Sequence, residues 1–555
     1  MAGNFDLIVI GSGAAGLAAA VTAAHHGLSV AVLEKADVIG GTTALSGGWI
    51  WAPGNPVAVR AGIIEDADAP RRYLQGVLGN AFDAARVDAF LRAAPEMVSF
   101  FETHTALQFD GGVHIPDTYG DVPGAGLGGR SVIAKPYDAR RLGAALKLLR
   151  EPLAETTLKG LSIQAGADLK AFMTATRSVR SFVYVAGRVS RHIADLAVHG
   201  RAMQLRNGST LVARLLRSAL DLGVDFCPST PALRLVTEGD RVSGVLTKNG
   251  VLNARKGVVL AAGGFPNDTE RRAAMVPRDD EHLTLAVSTA TGDGARLAEA
   301  LGAAFAADTA TTAAYCPVSN VAWPSGAKGR FPHIIDRGKP GVIGVLESGK
   351  RFCNEGLGYH DYVRALLAAV PSGQKARSWL VCDHRFIRRY GLGIVRPAPL
   401  PLGGWIRSGY LKRGATVAEL AQAAGIDGPA LETTIREFTV NARQGRDPEF
   451  GRGTTPYMRL QGDPARGPNP CLAPIEQGPF YAVEVVPGSF GTFAGLATDG
   501  CARVLRADGA PITGLYAAGS DSVSVFGGHY PAGGINLGPA LTFGFVAGRH
   551  AATGA

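Results

Sequence analysis

The chain has 555 residues, 74 of them glycine, with 19% charged residues and a formal net charge of +9. This length carries two or more domains with substantial cores, and the composition excludes a disordered chain. No apolar run reaches the ~18–20 residues that span a bilayer, and the positive charge is spread along the chain, as on a solvated basic surface, not gathered as at a nucleic-acid site.

The first element is a buried strand over residues 6–10, DLIVI. No signal peptide precedes it, so the expected location is cytoplasmic, with peripheral attachment to a membrane as the alternative. GSGAAG follows and leads into an Ala-rich helix; a second strand, SVAVLEK, ends at Glu34. Gly11, Gly13 and Gly16 thus lie between a strand and a helix of a βαβ unit, with an acid at the tip of the second strand. Together these form a strong dinucleotide fingerprint. The glycines let the backbone approach a pyrophosphate, the helix N-terminus stabilises it, and Glu34 accepts from a ribose. Ser12, Ala14, Ala15 and Lys35 complete this first contact set. The loop at 40–55, GGTTALSGGWIWAPGN, is too polar for core. It is expected to contact the same cofactor through Gly41, Thr42, Thr43, Ser46, Gly47 and Gly48.

Residues 85–104 and 138–225 carry apolar positions at helical spacing. Within the second stretch, about 138–205 forms a helical excursion, read as a lid or surface layer. From 223 the pattern returns to strands, including a hairpin with an Asn-Gly turn before 251. GVVLAAGGF (257–265) runs from a strand into a glycine turn containing Ala262 and Gly263, and TGDGARLAEALGA (291–303) opens a helix. Residues 287–478 are richer in Pro, Tyr and Trp and form the candidate second domain. The nucleotide-binding domain is therefore discontinuous, 1–286 with 479–555. Its last segment holds a strand ending in Ala-Ala-Gly before Gly519 and Ser520, a glycine-rich loop carrying Tyr530, and a helix starting near Asn536 and Leu537. A helix N-terminus presents unpaired N–H groups and partial positive charge to an anionic ring or an enolate.

The six cysteines are scattered, without CxxC or Cys/His ligand spacing. That argues against zinc, an iron–sulfur cluster or a disulfide-exchange centre, and no metal is expected.

GSGAAG with Glu34, GGTTALSGG, LAAGGF, TGDG, GKRFCNE and GLYAAG, in that order, resemble the fumarate reductase/succinate dehydrogenase flavoprotein superfamily. The resemblance covers nearly the whole chain. It implies an α/β protein: a Rossmann-like, discontinuous FAD-binding domain with an inserted α+β catalytic (capping) domain, and FAD at their interface. The loop at 40–55 holds no histidine for covalent attachment, so the FAD is expected to be non-covalent. Within the superfamily the chain resembles the 3-ketosteroid Δ1-dehydrogenases. Tyr530-Pro531-Ala532-Gly533-Gly534 matches their Tyr-Pro-x-x-Gly pattern, with Ala532 where the family usually has glycine. Tyr359 in NEGLGYHDY and Tyr119 in DTYGDVPGAGLGGRS match the other tyrosines.

The chemistry this implies has three parts. Tyr530 and the Gly534 N–H hold the ketone oxygen as charge develops on it. Tyr359 takes the α-proton, and Tyr119 hydrogen-bonds Tyr359 to stabilise its phenolate. A hydride leaves the β-carbon for flavin N5. Tyr315 is read as pocket lining, His529 as backbone support, and His360 as pointing away from Tyr359 if its stretch is extended. The expected partners are a small cyclic ketone, a 3-ketosteroid first, and an external electron acceptor such as a quinone or dye. A fumarate reductase-like site would clamp carboxylates with arginines, and the segment 527–548 contains none. A Δ4-(5α) steroid dehydrogenase or a cyclohexanone desaturase would use the same gripping tyrosine, and a non-enzymatic flavin carrier is the remaining reading.

Overall fold

A computed structural model describes residues 3–554. Its architecture grows from the strand Gly3–Ile10, whose second half, Leu7 to Ile10, is buried. A continuous apolar run of this kind suits a strand covered on both faces. It lies between two parallel neighbours, Val30–Leu33 and Gly250–Leu260. Asp225–Cys227 extends the sheet on one side and Pro511–Ala517 joins Gly250–Leu260 on the other, both in parallel. Arg241–Thr247 pairs antiparallel with Gly250–Leu260 through the expected hairpin, and Ala232–Glu238 lies beyond it. With Arg503–Leu505 the sheet has eight strands.

Ile10, Leu33, Leu260 and Ala517 are in register across this sheet. Gly11, Glu34, Ala261 and Ala518 therefore leave it at one edge, the carboxyl edge where open α/β sheets bind ligands. Two helices cover one face, Ala14–His25 and Leu537–Thr553. They approach through glycines: a Cβ on Gly544 would lie 2.3 Å from the Ala15 carbonyl oxygen, and one on Gly548 2.5 Å from that of Ala19.

The stretch from 138 to 205 is helical as expected over Ala167–Thr174 and Val179–His199. Short strand pairs interrupt it, Thr157–Leu158 with Leu161–Ser162 and Tyr137–Asp138 with Gln204–Leu205. The buried Arg188–Asp168 pair ties the long helix down, while Val179, Phe182 and Ile193 face outward.

A second, four-stranded antiparallel sheet combines Val342–Val345, Ser378–Cys382, Phe480–Val485 and Lys412–Gly414. Its third member follows residue 478. We propose the two-domain division read from the sequence, with the return to the first domain placed after Val485.

Beside this sheet the Asn-Glu motif is locked by charge. Glu355 is fully buried and accepts from Arg351 (2.9 and 2.8 Å), Arg452 (3.2 Å) and the Gly344 N–H (3.0 Å), and Arg351 also binds Asp447. Burial pushes the Glu355 carboxyl upward, but the two guanidiniums outweigh it and hold the group below the ordinary carboxylate range. Its stabilising share is therefore complete above that range and is lost as pH falls through the depressed folded value. Glu355→Ala leaves two buried guanidiniums short of a partner and is expected to cost about 3–5 kcal/mol, read as a lowered midpoint of chemical unfolding at neutral pH.

Candidate active site

Two segments distant in sequence meet at a pair of phenols. Tyr359 is the first residue of the helix Tyr359–Ala369. Tyr530 lies in the loop that feeds the closing helix. The Tyr359 hydroxyl donates to the Tyr530 oxygen at 2.6 Å, and the Asn536 amide donates to the same oxygen at 3.0 Å. Asn536 stands at the N-cap of Leu537–Thr553, yet its side chain makes no capping bond; it serves Tyr530 instead. With two donors on its oxygen, Tyr530 has its own O–H left to give. Burial pushes the pKa of both phenols up, so both are neutral near pH 7. Removing the amide in Asn536→Ala forfeits one hydrogen bond of about 0.5–1.5 kcal/mol. The turnover rate is expected to fall about 2- to 10-fold, checked by steady-state kinetics with unchanged flavin content.

The loop 530–534 is held from four sides. The Pro531 carbonyl accepts from the Tyr73 hydroxyl at 2.5 Å and from the Thr118 N–H at 2.9 Å. Ser131 donates to the Gly533 carbonyl and Trp51 N–H to that of Gly534, both at 3.1 Å. Gly534 has φ +100°, and a Cβ there would sit 2.7 Å from the Trp51 nitrogen. Only glycine fits this approach.

The same framework places Tyr119. Its N–H donates to the Tyr73 oxygen at 3.2 Å, and its hydroxyl donates to Asp361 Oδ1 at 2.8 Å. The expected Tyr119–Tyr359 hydrogen bond is thus replaced: a carboxylate is the stronger acceptor, and it stands in the first turn of the tyrosine helix. A second correction concerns His360. Its stretch is helical, not extended, so the ring turns inward and stacks between Tyr315 (5.1 Å) and Tyr530 (5.4 Å). Its Nδ1 accepts from the Tyr315 N–H at 3.1 Å, and burial lowers its pKa to about 3. The ring is therefore a neutral packing plate behind Tyr530. Tyr315 is buried beside it in the core with Val276 and Val363. The His529 N–H bonds the Phe526 carbonyl at 2.9 Å and closes a loop turn.

The residues expected to contact a dinucleotide gather at the sheet's carboxyl edge. Gly11 has φ +105°, and a Cβ would lie 2.2 Å from the Ala261 oxygen; one on Gly16 would meet the Gly11 oxygen at 2.0 Å. These two glycines serve close packing. Gly13 and Gly47 face open space instead, with nothing nearer than 3.5 Å to a Cβ on the first and nothing within 4 Å for the second. The Ala14 N–H is capped by Thr43 Oγ1 at 3.0 Å, which joins the polar loop to the helix start beside Ala15. Gly41 opens the short 3-10 turn Gly41–Leu45 facing Gly13. Thr42 Oγ1 accepts from the Val287 N–H at 3.2 Å, Ser46 bonds the Gly48 N–H at 3.2 Å, and Gly48 packs on Asn207.

Glu34 accepts from Ser12 (N–H 3.2 Å, Oγ 2.5 Å) and from the Ala36 N–H at 2.8 Å. Lys35 reaches Asp293 at 2.9 Å and Thr291 at 2.7 Å. Asp521, absent from the sequence reading, accepts the Ala262 and Gly264 N–H groups at 2.5 and 2.9 Å, which fixes the turn through Gly263. Burial raises its pKa to about 6. Gly519 abuts Ala15, and Ser520 abuts Gly264. Leu537 opens the closing helix. An open glycine cradle at a helix N-terminus, an acid at the neighbouring strand end and a second helix N-terminus beyond fit a dinucleotide with an attached ring.

A dinucleotide-type cradle at the sheet edge and a phenol, Tyr530, that accepts from Tyr359 and Asn536 fit a flavoprotein oxidoreductase. The chain belongs to the FAD binding domain family, whose pattern it matches over residues 6–537. It is 41% identical over 99% of its length to 4-oxocyclohex-2-ene-1-carboxylate 5-dehydrogenase of Sinomonas cyclohexanicum, covering 93% of that protein. It is 36% identical over 99% of its length to 3-oxosteroid 1-dehydrogenase of Mycobacterium tuberculosis, covering 98% of it. The crystal structure of 3-ketosteroid Δ1-dehydrogenase from Sterolibacterium denitrificans, in complex with 1,4-androstadiene-3,17-dione, superposes with a TM-score of 0.91 at 34% identity over 100% of both chains. The protein is an FAD-dependent oxidoreductase of the family that includes the 3-oxosteroid 1-dehydrogenases. Among the described residues no helix is long and apolar enough to cross a membrane.

Proposed function

We propose that the protein desaturates a cyclic ketone next to its carbonyl, a 3-ketosteroid at its 1,2 bond first. One observation carries this reading: the Tyr530 oxygen already accepts from Tyr359 and Asn536. Its remaining proton is free for a carbonyl oxygen, and accepting two hydrogen bonds makes it a stronger donor. The Gly534 N–H is the second donor of the clamp. Tyr359 takes the α-proton once the ketone engages Tyr530. The bound flavin supplies the acceptor for the β-hydride. Gly11 to Gly16 with Glu34 would hold its pyrophosphate and ribose, the loop from Gly41 to Gly48 with Ala262, Gly263, Gly519 and Ser520 its middle, and Asn536 and Leu537 its ring. Turnover would then need an external electron acceptor such as a quinone.

A second reading keeps the chemistry and shrinks the substrate to a carboxylated cyclohexanone. The 41%-identical relative acts, by its name, on such a ring. The test is anaerobic mixing of the yellow protein with 3-ketosteroids and with 4-oxocyclohexanecarboxylate. Bleaching by the steroids alone supports the first reading, and bleaching by the small acid alone supports the second. A flavin that no ketone reduces would remove both.

A further inference from the structure

Tyr359 and Tyr530 stand 171 residues apart in the chain, so their contact depends on how two segments are held together. The segment before Tyr530 does not hold itself. Gly527 and Gly528 have φ +54° and +85°, and no helix or strand covers 522–536. Residues 310–311 anchor it. The Ala310 N–H donates to the Gly527 carbonyl at 2.9 Å, and Thr311 Oγ1 donates to the Gly528 carbonyl at 2.7 Å. A Cβ on Gly528 would lie 2.5 Å from the Thr311 nitrogen, so the two backbones touch there.

His360 joins this anchor to the helix of the other phenol. It follows Tyr359 directly and is buried. A backbone N–H can only donate, so Nδ1, which faces the Tyr315 N–H, is bare, and the proton of the neutral ring lies on Nε2. Nε2 meets Thr311 Oγ1 over a long 3.4 Å. Thr311 gives its own proton to the Gly528 carbonyl, nearer than that of Ala313 at 3.2 Å. Every bond therefore runs one way: Tyr315 N–H to His360, His360 to Thr311, and Thr311 to a carbonyl two residues before Tyr530. The imidazole also lies against the Tyr530 ring, 29° from parallel, with Phe493 at 5.8 Å.

We propose that His360 and Thr311 are positioning residues that set the aim of the Tyr530 hydroxyl; this rests on the ketone-desaturation reading. In this scheme neither residue touches the ketone or takes a proton in the reaction. The imidazole fixes the plane of the phenol by stacking, and the hydrogen bonds through Thr311 fix the loop that carries it. Misplacing a reacting group by about 1 Å can cost about 100-fold in rate, so a loop freed at Gly528 loses rate before it loses fold.

His360→Phe keeps a ring against Tyr530 and removes both nitrogens. Ketone-driven flavin bleaching is expected to slow about 10- to 100-fold. Thr311→Val keeps the shape and removes the hydroxyl, for an expected loss of about 2- to 10-fold. His360→Gln, which keeps an amide donor, should recover part of the rate lost in H360F, and Thr311→Ser, which keeps the hydroxyl, part of that lost in T311V. Tyr530→Phe has no hydroxyl to aim, so adding H360F or T311V to it should slow bleaching by less than about 2-fold. The pH profile should keep its shape in H360F, because burial, with Arg364 and His529 nearby, keeps the imidazole neutral. Flavin content and thermal midpoint report folding; if H360F does not take up flavin, T311V and H360Q decide. Unchanged rates in the folded variants, losses that multiply with that of Tyr530→Phe, or a pH limb that disappears with His360 would overturn the inference and leave the ketone reading standing. A wild-type flavin that no ketone bleaches would overturn both.

Discussion

Tyr530→Phe is expected to slow ketone-driven flavin reduction about 10²–10³-fold, the usual loss on removing one donor from a carbonyl clamp. The ring and its stacking on His360 survive the change, so flavin content should hold. The hydroxyl is also the acceptor for Tyr359 and Asn536. Leaving buried donors unpaired costs about 1–3 kcal/mol, so a small drop in thermal midpoint should accompany the kinetic loss. Anaerobic stopped-flow absorbance at saturating ketone separates the two effects. A rate within a few-fold of wild type would remove Tyr530 from the clamp.

Gly534→Ala should be the more damaging change to the fold. The residue sits at φ +100°, and a methyl would press on the backbone of Ile50 and Trp51 at 2.8 and 2.7 Å. Backbone strain of about 1–3 kcal/mol adds to overpacking of about 1–3 kcal/mol. Together they predict a loss of about 2–6 kcal/mol and a displaced Tyr530 loop. Gly533→Ala is the control: a Cβ there meets nothing within 4 Å, so its unfolding midpoint should stay near wild type. Equal midpoints for the two variants would show that the loop relaxes freely and that Gly534 is not sterically fixed.

The βαβ entry was legible because its parts are local. A strand, a glycine turn, a helix and an acid at the next strand end follow one another in 3–34, and backbone sterics require the glycines at Gly11 and Gly16. The closing helix from Leu537 and the hairpin after Arg241 were legible for the same reason. The pairing of Tyr359 with Tyr530 came from resemblance, since the two residues are far apart along the chain. His360 was misplaced because its orientation depends on whether Gly358 begins a helix or continues a strand, which short apolar runs do not decide. Asp361 was overlooked although it follows Tyr359 by two positions. Its one signal was an acid in a first helical turn, which ordinarily reads as a solvated cap.

The amino-acid sequence by itself determined the cofactor class, the βαβ entry and the glycines that no other residue can replace, because each depends on φ/ψ and on neighbours within one turn or strand. Only the tertiary structure decided which hydroxyl donates to which oxygen. Tyr119 bonds Asp361 instead of Tyr359, and Asn536 serves Tyr530 instead of its own helix. Hydrogen bonds between segments depend on angles and distances set by the packing of two sheets and two helices, and no spacing along the chain encodes them.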